Sequence, residues 1–111
     1  MSATFTAFAA FEQARRSTVL GNLSPTSMAL ISGLILIWQD GSRPTVLQAM
    51  HADHGLSSST VHRHLKALRQ SGMILVTSDE ADIRVKYVLP SPSLLCALDT
   101  MGQMLAQQEV A

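Results

Sequence analysis

From His54 to Ser78 the chain carries no acidic residue, and inside that span residues 57–72 encode one sharply bounded amphipathic helix. Ser57 can cap it, because a serine hydroxyl accepts a backbone N–H of the first helical turn. Val61, Leu65 and Leu68 recur at i, i+4 and i+7 and make a single apolar stripe. Gly72 suits the left-handed residue that follows a helix end. Gly55-Leu56 forms a turn just ahead. The opposite face carries Ser59, His62, Arg63, Lys66 and Gln70, side chains that donate to phosphates and base edges. A tight turn followed by a cationic, donor-rich helix is the pattern of the second helix of a helix-turn-helix.

The next residues specify strands. Met73–Thr77 and Ile83–Leu89 are rich in β-branched and aromatic residues and are joined by polar Ser78–Asp82. A helix-turn-helix followed at once by a hairpin gives the expected fold class: mainly α with a small β-hairpin wing.

The remaining segments are helical. Residues 4–20 are expected to form one helix holding Phe5, Phe8 and Phe11, all the phenylalanines of the chain. Ser24-Pro25 starts a second helix, proline being tolerated in the first turn. It runs to about Gln39 and is apolar almost all round, which predicts burial on every face. Asp40-Gly41-Ser42 ends it. Thr45 to about Asp53 is a short helix with Val46, Leu47 and Met50 inward. Pro90-Ser91-Pro92 stops the second strand. A last helix from Ser93 has Leu94, Leu98, Met101 and Leu105 at coiled-coil spacing. At 111 residues the chain is expected to be a single winged-helix domain. Its parts are an N-terminal helix (1–23), a winged core (24–90) and a C-terminal helix (91–111). The two terminal helices have apolar stripes that a minimal winged helix does not need, so they predict a homodimer.

Charge narrows the function classes. Eight Lys and Arg balance eight Asp and Glu, giving zero formal charge. A protein that coats nucleic acid without selectivity is usually strongly basic. A neutral chain with one local cationic face suits a shaped site with a few directed contacts. One cysteine, Cys96, excludes an internal disulfide and fits a reducing cytoplasm. No export signal is expected at the N-terminus. No membrane span is expected either, since apolar Met28–Trp38 is far short of the roughly 20 residues required.

The residues from about 24 to 95 resemble the MarR-type (multiple-antibiotic-resistance regulator) winged helix-turn-helix family. The likeness rests on Leu-Ser-x-Ser-Thr-Val at 56–61, the Leu65–Leu68 spacing, Ser-Gly-Met-Ile at 71–74, and Asp79, Asp82 and Arg84 in the wing. Thr-Val-His-Arg-His-Leu at 60–65 also resembles IclR-type regulators; the wing pattern favours the first. The resemblance implies a DNA-binding transcription regulator whose terminal helices interleave in a homodimer. It also implies that Arg84 reaches a minor groove, although an ion pair with Asp79 or Asp82 would serve equally well to stiffen the hairpin. The chain departs from the family in having room for one C-terminal helix rather than two, and Ile83 where an additional wing arginine is common.

The expected DNA-contacting residues are Ser58, Ser59, Thr60, His62 and Arg63 near base edges, Lys66 and Arg69 on phosphate, and Arg84 in the wing. Arg63 is the candidate for a bidentate guanine contact. His51 and His54 are at helical spacing, and His64 is expected on the wing side of its helix. Without a CxxC or HExxH pattern, these histidines predict polar surface rather than a metal site. Cys96, beside Leu94, Leu95 and Leu98, is expected to be buried and inert. No nucleophile elbow, phosphate loop or metal triad is present, so neither an enzyme nor a cofactor is expected, and nothing specifies a small-molecule effector. The alternative reading is a winged helix used for protein interaction or scaffolding.

Overall fold

The computed structural model describes residues 3–51 and 55–110, with side chains described for 5–51 and 55–107. The elements are α1 (Ala3–Arg16), a 3-10 turn at Val19–Asn22, α2 (Pro25–Gln39), α3 (Val46–Met50), α4 (Ser58–Gln70), β1 (Ile74–Ser78), β2 (Lys86–Pro90) and α5 (Pro92–Val110). They group into two compact units: Met1–Leu23 with Pro92–Ala111, and Ser24–Ser91. Asp53 and His54, expected at the end of the short helix and in the turn, lie outside the described residues. Among the described residues no helix is long and apolar enough to cross a membrane.

The 24–91 unit is a winged helix. The Ser24 hydroxyl caps α2 by accepting from the Ser27 N–H at 3.1 Å. Thr45 and Gln48 make a reciprocal capping box on α3, with bonds of 2.9 and 3.1 Å. The Ser57 hydroxyl caps α4, accepting from the Thr60 N–H at 3.3 Å. Gly72 follows α4 with φ +81°, where a side chain would be strained. The core is Leu30, Ile31 and Leu34 of α2, Ala49 of α3, and Val61, Leu65 and Leu68 of α4. Met73, Ile74 and Val88 close it from the wing. The strands pair antiparallel, with Ile74 opposite Pro90 and Ser78 opposite Lys86. A single bridge, Thr45 to Tyr87, adds the residues before α3 to the outer edge of β2.

In the other unit, α1 and α5 bury Ala14, Leu20, Leu94, Ala97 and Met101. The expected helix 4–20 stops early. Ser17 Oγ donates to the Gln13 carbonyl at 2.7 Å, and Thr18 Oγ1 donates to Arg15 O at 3.0 Å. Local side-chain bonds of this kind compete with helix continuation. The following 3-10 turn passes so close to α1 that a Cβ on Gly21 would sit 2.9 Å from the Arg16 Cα.

Four burial expectations are corrected. Leu47, expected inward with Val46 and Met50, is exposed, those two are half-buried, and Ala49 is the buried residue of α3. The α2 helix is not covered on every face: Leu36 is 66% exposed, and Met28, Ile35, Ile37 and Trp38 are half-buried. Its neighbours in this unit cover only the face of Leu30, Ile31 and Leu34. The buried stripe of α5 is Leu94, Ala97 and Met101, with Leu98 and Leu105 half-buried. That phase turns Leu95 and Cys96 outward, so the cysteine expected inside is exposed. The first wing strand starts one residue later than expected, and the second three residues later, because 79–85 is a hydrogen-bonded loop that takes up Ile83–Val85.

Leu68 has almost no accessible surface whereas Leu47 is largely exposed. Leu68→Ala should therefore destabilise the fold by about 2–5 kcal/mol, and Leu47→Ala by no more than about 0.5 kcal/mol. Urea unfolding of both variants checks the contrast.

Candidate nucleic-acid interface

Burial of Val61, Leu65 and Leu68 fixes the rotation of α4 about its axis. That leaves Ser58, Ser59, His62, Arg63, Lys66, Arg69 and Gln70 exposed. On a helix of 3.6 residues per turn, Ser59, Arg63, Lys66 and Gln70 centre on the outward line, while His62 and Arg69 lie to one side of it. Thr60 is half-buried, and its hydroxyl accepts from Ser57 Oγ at 2.8 Å as part of the cap. Arg63, Lys66 and Arg69 have no acidic partner among the described residues.

The flank with His62 and Arg69 faces an open groove of about 780 Å³. Its apolar floor includes Val46, Leu47 and Met50 from α3, Leu65 from α4, and Val76 and Val88 from the strands. His62, Lys66 and Arg69 line one wall, Arg84 and Lys86 the other. Four of the eight residues expected from sequence thus meet in one groove: His62, Lys66, Arg69 and Arg84. Ser59 and Arg63 sit outside it on the open side of α4, and Ser58, one turn before His62, is on the His62 flank but not in the lining. Lys86 was missed by the sequence reading. The signal was available: in the expected strand Ile83–Leu89, alternation puts Lys86 on the same face as Arg84.

The wing is wired by its own carboxylates. Asp82 accepts from Arg84 Nε at 3.0 Å and Nη2 at 3.1 Å, and also from the Arg84 backbone N–H at 3.0 Å. Arg84 therefore pairs with Asp82 and not with Asp79, while its side chain stays 88% exposed. Asp79 Oδ1 accepts from the N–H groups of Ala81 (2.7 Å) and Asp82 (3.3 Å). Its Oδ2 accepts from the Tyr87 hydroxyl at 2.6 Å. The Arg43 guanidinium lies over the Tyr87 ring, 4.6 Å from its centroid. The Tyr87 bond, then the Ala81 and Asp82 amides, hold the Asp79 carboxyl below its ordinary pKa, and the same bond to Asp79 raises that of the Tyr87 phenol. The Arg84 side chain, followed by its amide, lowers the Asp82 carboxyl.

His64 corrects another expectation. It faces α2 rather than the wing, with Nδ1 3.0 Å from the hydroxyl of buried Ser27. The cause is rotational: His64 lies close to Leu68 around the helix, on the side away from His62. His51 is exposed, and among the described residues no three His, Cys, Asp or Glu side chains stand together.

Solved structures with the same architecture are transcription regulators. A transcriptional regulator from Thermotoga maritima superimposes with a TM-score of 0.69 at 18% identity, covering 94% of this chain and 70% of that one. BpsR of Bordetella bronchiseptica, whose DNA binding is regulated by 6-hydroxynicotinic acid, gives 0.55 at 19% identity over 96% and 71%. A MarR-like transcription regulator from Bacillus cereus gives 0.58 at 10% identity over 95% and 70%. No protein-family model and no curated protein matches the sequence. The likeness is one of fold: this chain has a MarR-like winged helix.

Because Asp82 has a lowered pKa when folded, its stabilisation of the loop is complete above the ordinary value of 3.8 and is lost as pH falls below it. Asp82→Asn should therefore weaken the loop at neutral pH and remove part of its acid sensitivity. Amide exchange of Arg84 in both proteins between about pH 6 and pH 3 checks this, after correction for the intrinsic pH dependence of exchange.

Proposed function

We propose, from the MarR-like winged helix and its cationic groove, that the chain is a sequence-specific transcription regulator of double-stranded DNA. It acts as a homodimer on a pseudo-palindromic site in a reducing cytoplasm. The observation that carries the reading is the convergence of Lys66 and Arg69 of α4 with Arg84 and Lys86 of the wing on one groove. Arg63 stands on the adjoining open face of α4. A recognition helix in a major groove and a wing against the neighbouring backbone would use these two faces together. Ser58, Ser59, Thr60 and His62 lie in the N-terminal half of α4, the half that reaches base edges in this mode of docking, with Thr60 the most recessed of them.

The dimer part of the proposal rests on the terminal helices. Phe5 is 69% exposed and Phe8 70%, and Leu95 on α5 is also exposed. Aromatic side chains bury 150–250 Å² each when covered, so leaving several in water is costly. A second copy of the chain is the occupant that also gives the two-fold symmetry a paired half-site demands.

DNA selected from a random pool by the protein supplies the test duplex. Arg63→Ala should cost roughly 1–3 kcal/mol on that duplex and much less on a scrambled one. Lys66→Ala should weaken both alike and reduce the slope of log K against log salt by about 0.9. Equal losses on both duplexes for Arg63→Ala would remove it from base recognition, and a protein that enriches no sequence would refute the reading.

Sedimentation addresses assembly. The wild type should be dimeric at micromolar concentration. Phe8→Glu should raise the dissociation constant by roughly thirtyfold or more, as expected for losing an aromatic anchor. Phe8 is exposed in the single chain, so the helical circular dichroism of the variant should be unchanged.

A further inference from the structure

We infer that Tyr87 is a positioning residue that sets the wing against α4, so that the cations of both walls act on the same stretch of duplex. This deepens the DNA-binding reading and rests on it. A two-stranded hairpin is marginal by itself, and the loop that presents Arg84 spans seven residues, 79–85. Something must fix the direction of that loop relative to the helix. The structure shows a continuous connection. Tyr87 is bridged to Thr45, the residue that caps α3. Its hydroxyl donates to Asp79 Oδ2 at 2.6 Å. The other oxygen of Asp79 gathers the amides of Ala81 and Asp82, and Asp82 in turn grips Arg84.

Each step is short and directional. The phenol-to-carboxylate bond is charge-assisted, about twice as strong as a neutral one. The ring is held from outside the groove by Arg43. Tyr87 itself does not line the groove, whereas its neighbours Lys86 and Val88 do. It therefore has no direct part in the proposed contact and acts through the placement of Arg84. The hydroxyl is the decisive group. Without it the ring and the bridge would keep β2 in place, and the bonds from Asp79 N–H to Val85 O (2.8 Å) and from Val85 N–H to Asp82 O (3.0 Å) would keep the loop closed. The Asp79 carboxylate that gathers the Arg84 end of the loop, however, would lose its tie to β2.

The experiment is Tyr87→Phe, which keeps the ring and removes the hydroxyl. Amide exchange at Ala81, Asp82 and Arg84 should speed up by about tenfold, while the amides of α4 stay protected. Affinity for the selected duplex should fall by roughly threefold to tenfold. Arg84→Ala should then cost less than about twofold in the Tyr87→Phe background, while Lys66→Ala costs what it does in the wild type. A general loss of folded protein would leave both second substitutions additive. Asp79→Asn keeps an acceptor for the two amides and can donate from Nδ2 to the phenol oxygen, so it replaces the charge-assisted bond by a neutral one and should give a weaker form of the same pattern. Unchanged exchange in Tyr87→Phe, or full additivity with Arg84→Ala, overturns the inference. A wild-type protein that binds no duplex defeats the DNA-binding reading instead, and the exchange result still decides whether Tyr87 holds the loop.

Discussion

Strand β2 stays where it is because of the backbone of one residue. Val88 donates its N–H to the Pro44 carbonyl at 2.8 Å and accepts from Trp38 Nε1 at 3.0 Å. Its side chain is fully buried. Opposite Val76 in the ladder, Val88 occupies a non-hydrogen-bonded pair, so both of its backbone groups point away from β1. An edge strand with free groups of this kind is normally a liability. Here the end of α2 and the segment entering α3 satisfy them. That ties three elements of the winged unit to one point of β2, and the place of Lys86 on the groove wall follows from it.

Most of this was written in local sequence signals. The Ser57 cap, the Val61–Leu65–Leu68 stripe and Gly72 placed α4 to the residue, because helix ends are set by short-range chemistry. The hairpin was legible from its β-rich runs, but its boundaries were not. Ile83 to Val85 have strand propensity, yet the carboxylates of Asp79 and Asp82 capture the amides of residues 81, 82 and 84 and hold them in a loop. Side-chain bonds to nearby amides won over propensity there. Thr45 and Gln48 spelled a capping box that the sequence reading passed over. The Thr45–Tyr87 bridge and the Trp38–Val88 bond join residues about 40 and 50 apart, and no local pattern announces such pairings.

Burial was harder to foresee than secondary structure. Apolar content predicted that α2 and α5 would be covered, but content does not set rotational phase. Ala97 took an inward position on α5 in place of Leu98, and Cys96 moved outward with it. The surplus of exposed apolar residues on the terminal helices is the same effect seen from outside. It is the part of the sequence that a single copy of the chain does not use for its own core.

Charge shows how a neutral chain can offer a cationic face. Among the described residues, Asp79 and Asp82 are engaged inside the wing and Glu12 is paired with Arg15 and Arg16. Asp79 and Asp82, two of the three acids in the loop, are thus engaged in holding it, while Glu80 stays exposed. Arg63, Lys66 and Arg69 keep their charge for an outside partner, since α4 has no acid along its length. Arg84 is the intermediate case: Asp82 takes Nε and one Nη2 hydrogen, leaving the Nη1 edge of the fork for another acceptor. Its ion pair and its proposed contact are therefore compatible, because the carboxylate that offsets part of the charge also aims the remaining donors. In a proposed dimer this arrangement repeats about a two-fold axis. A few directed cations per copy then give selectivity through spacing and orientation, without the strong net charge on which indiscriminate binding depends.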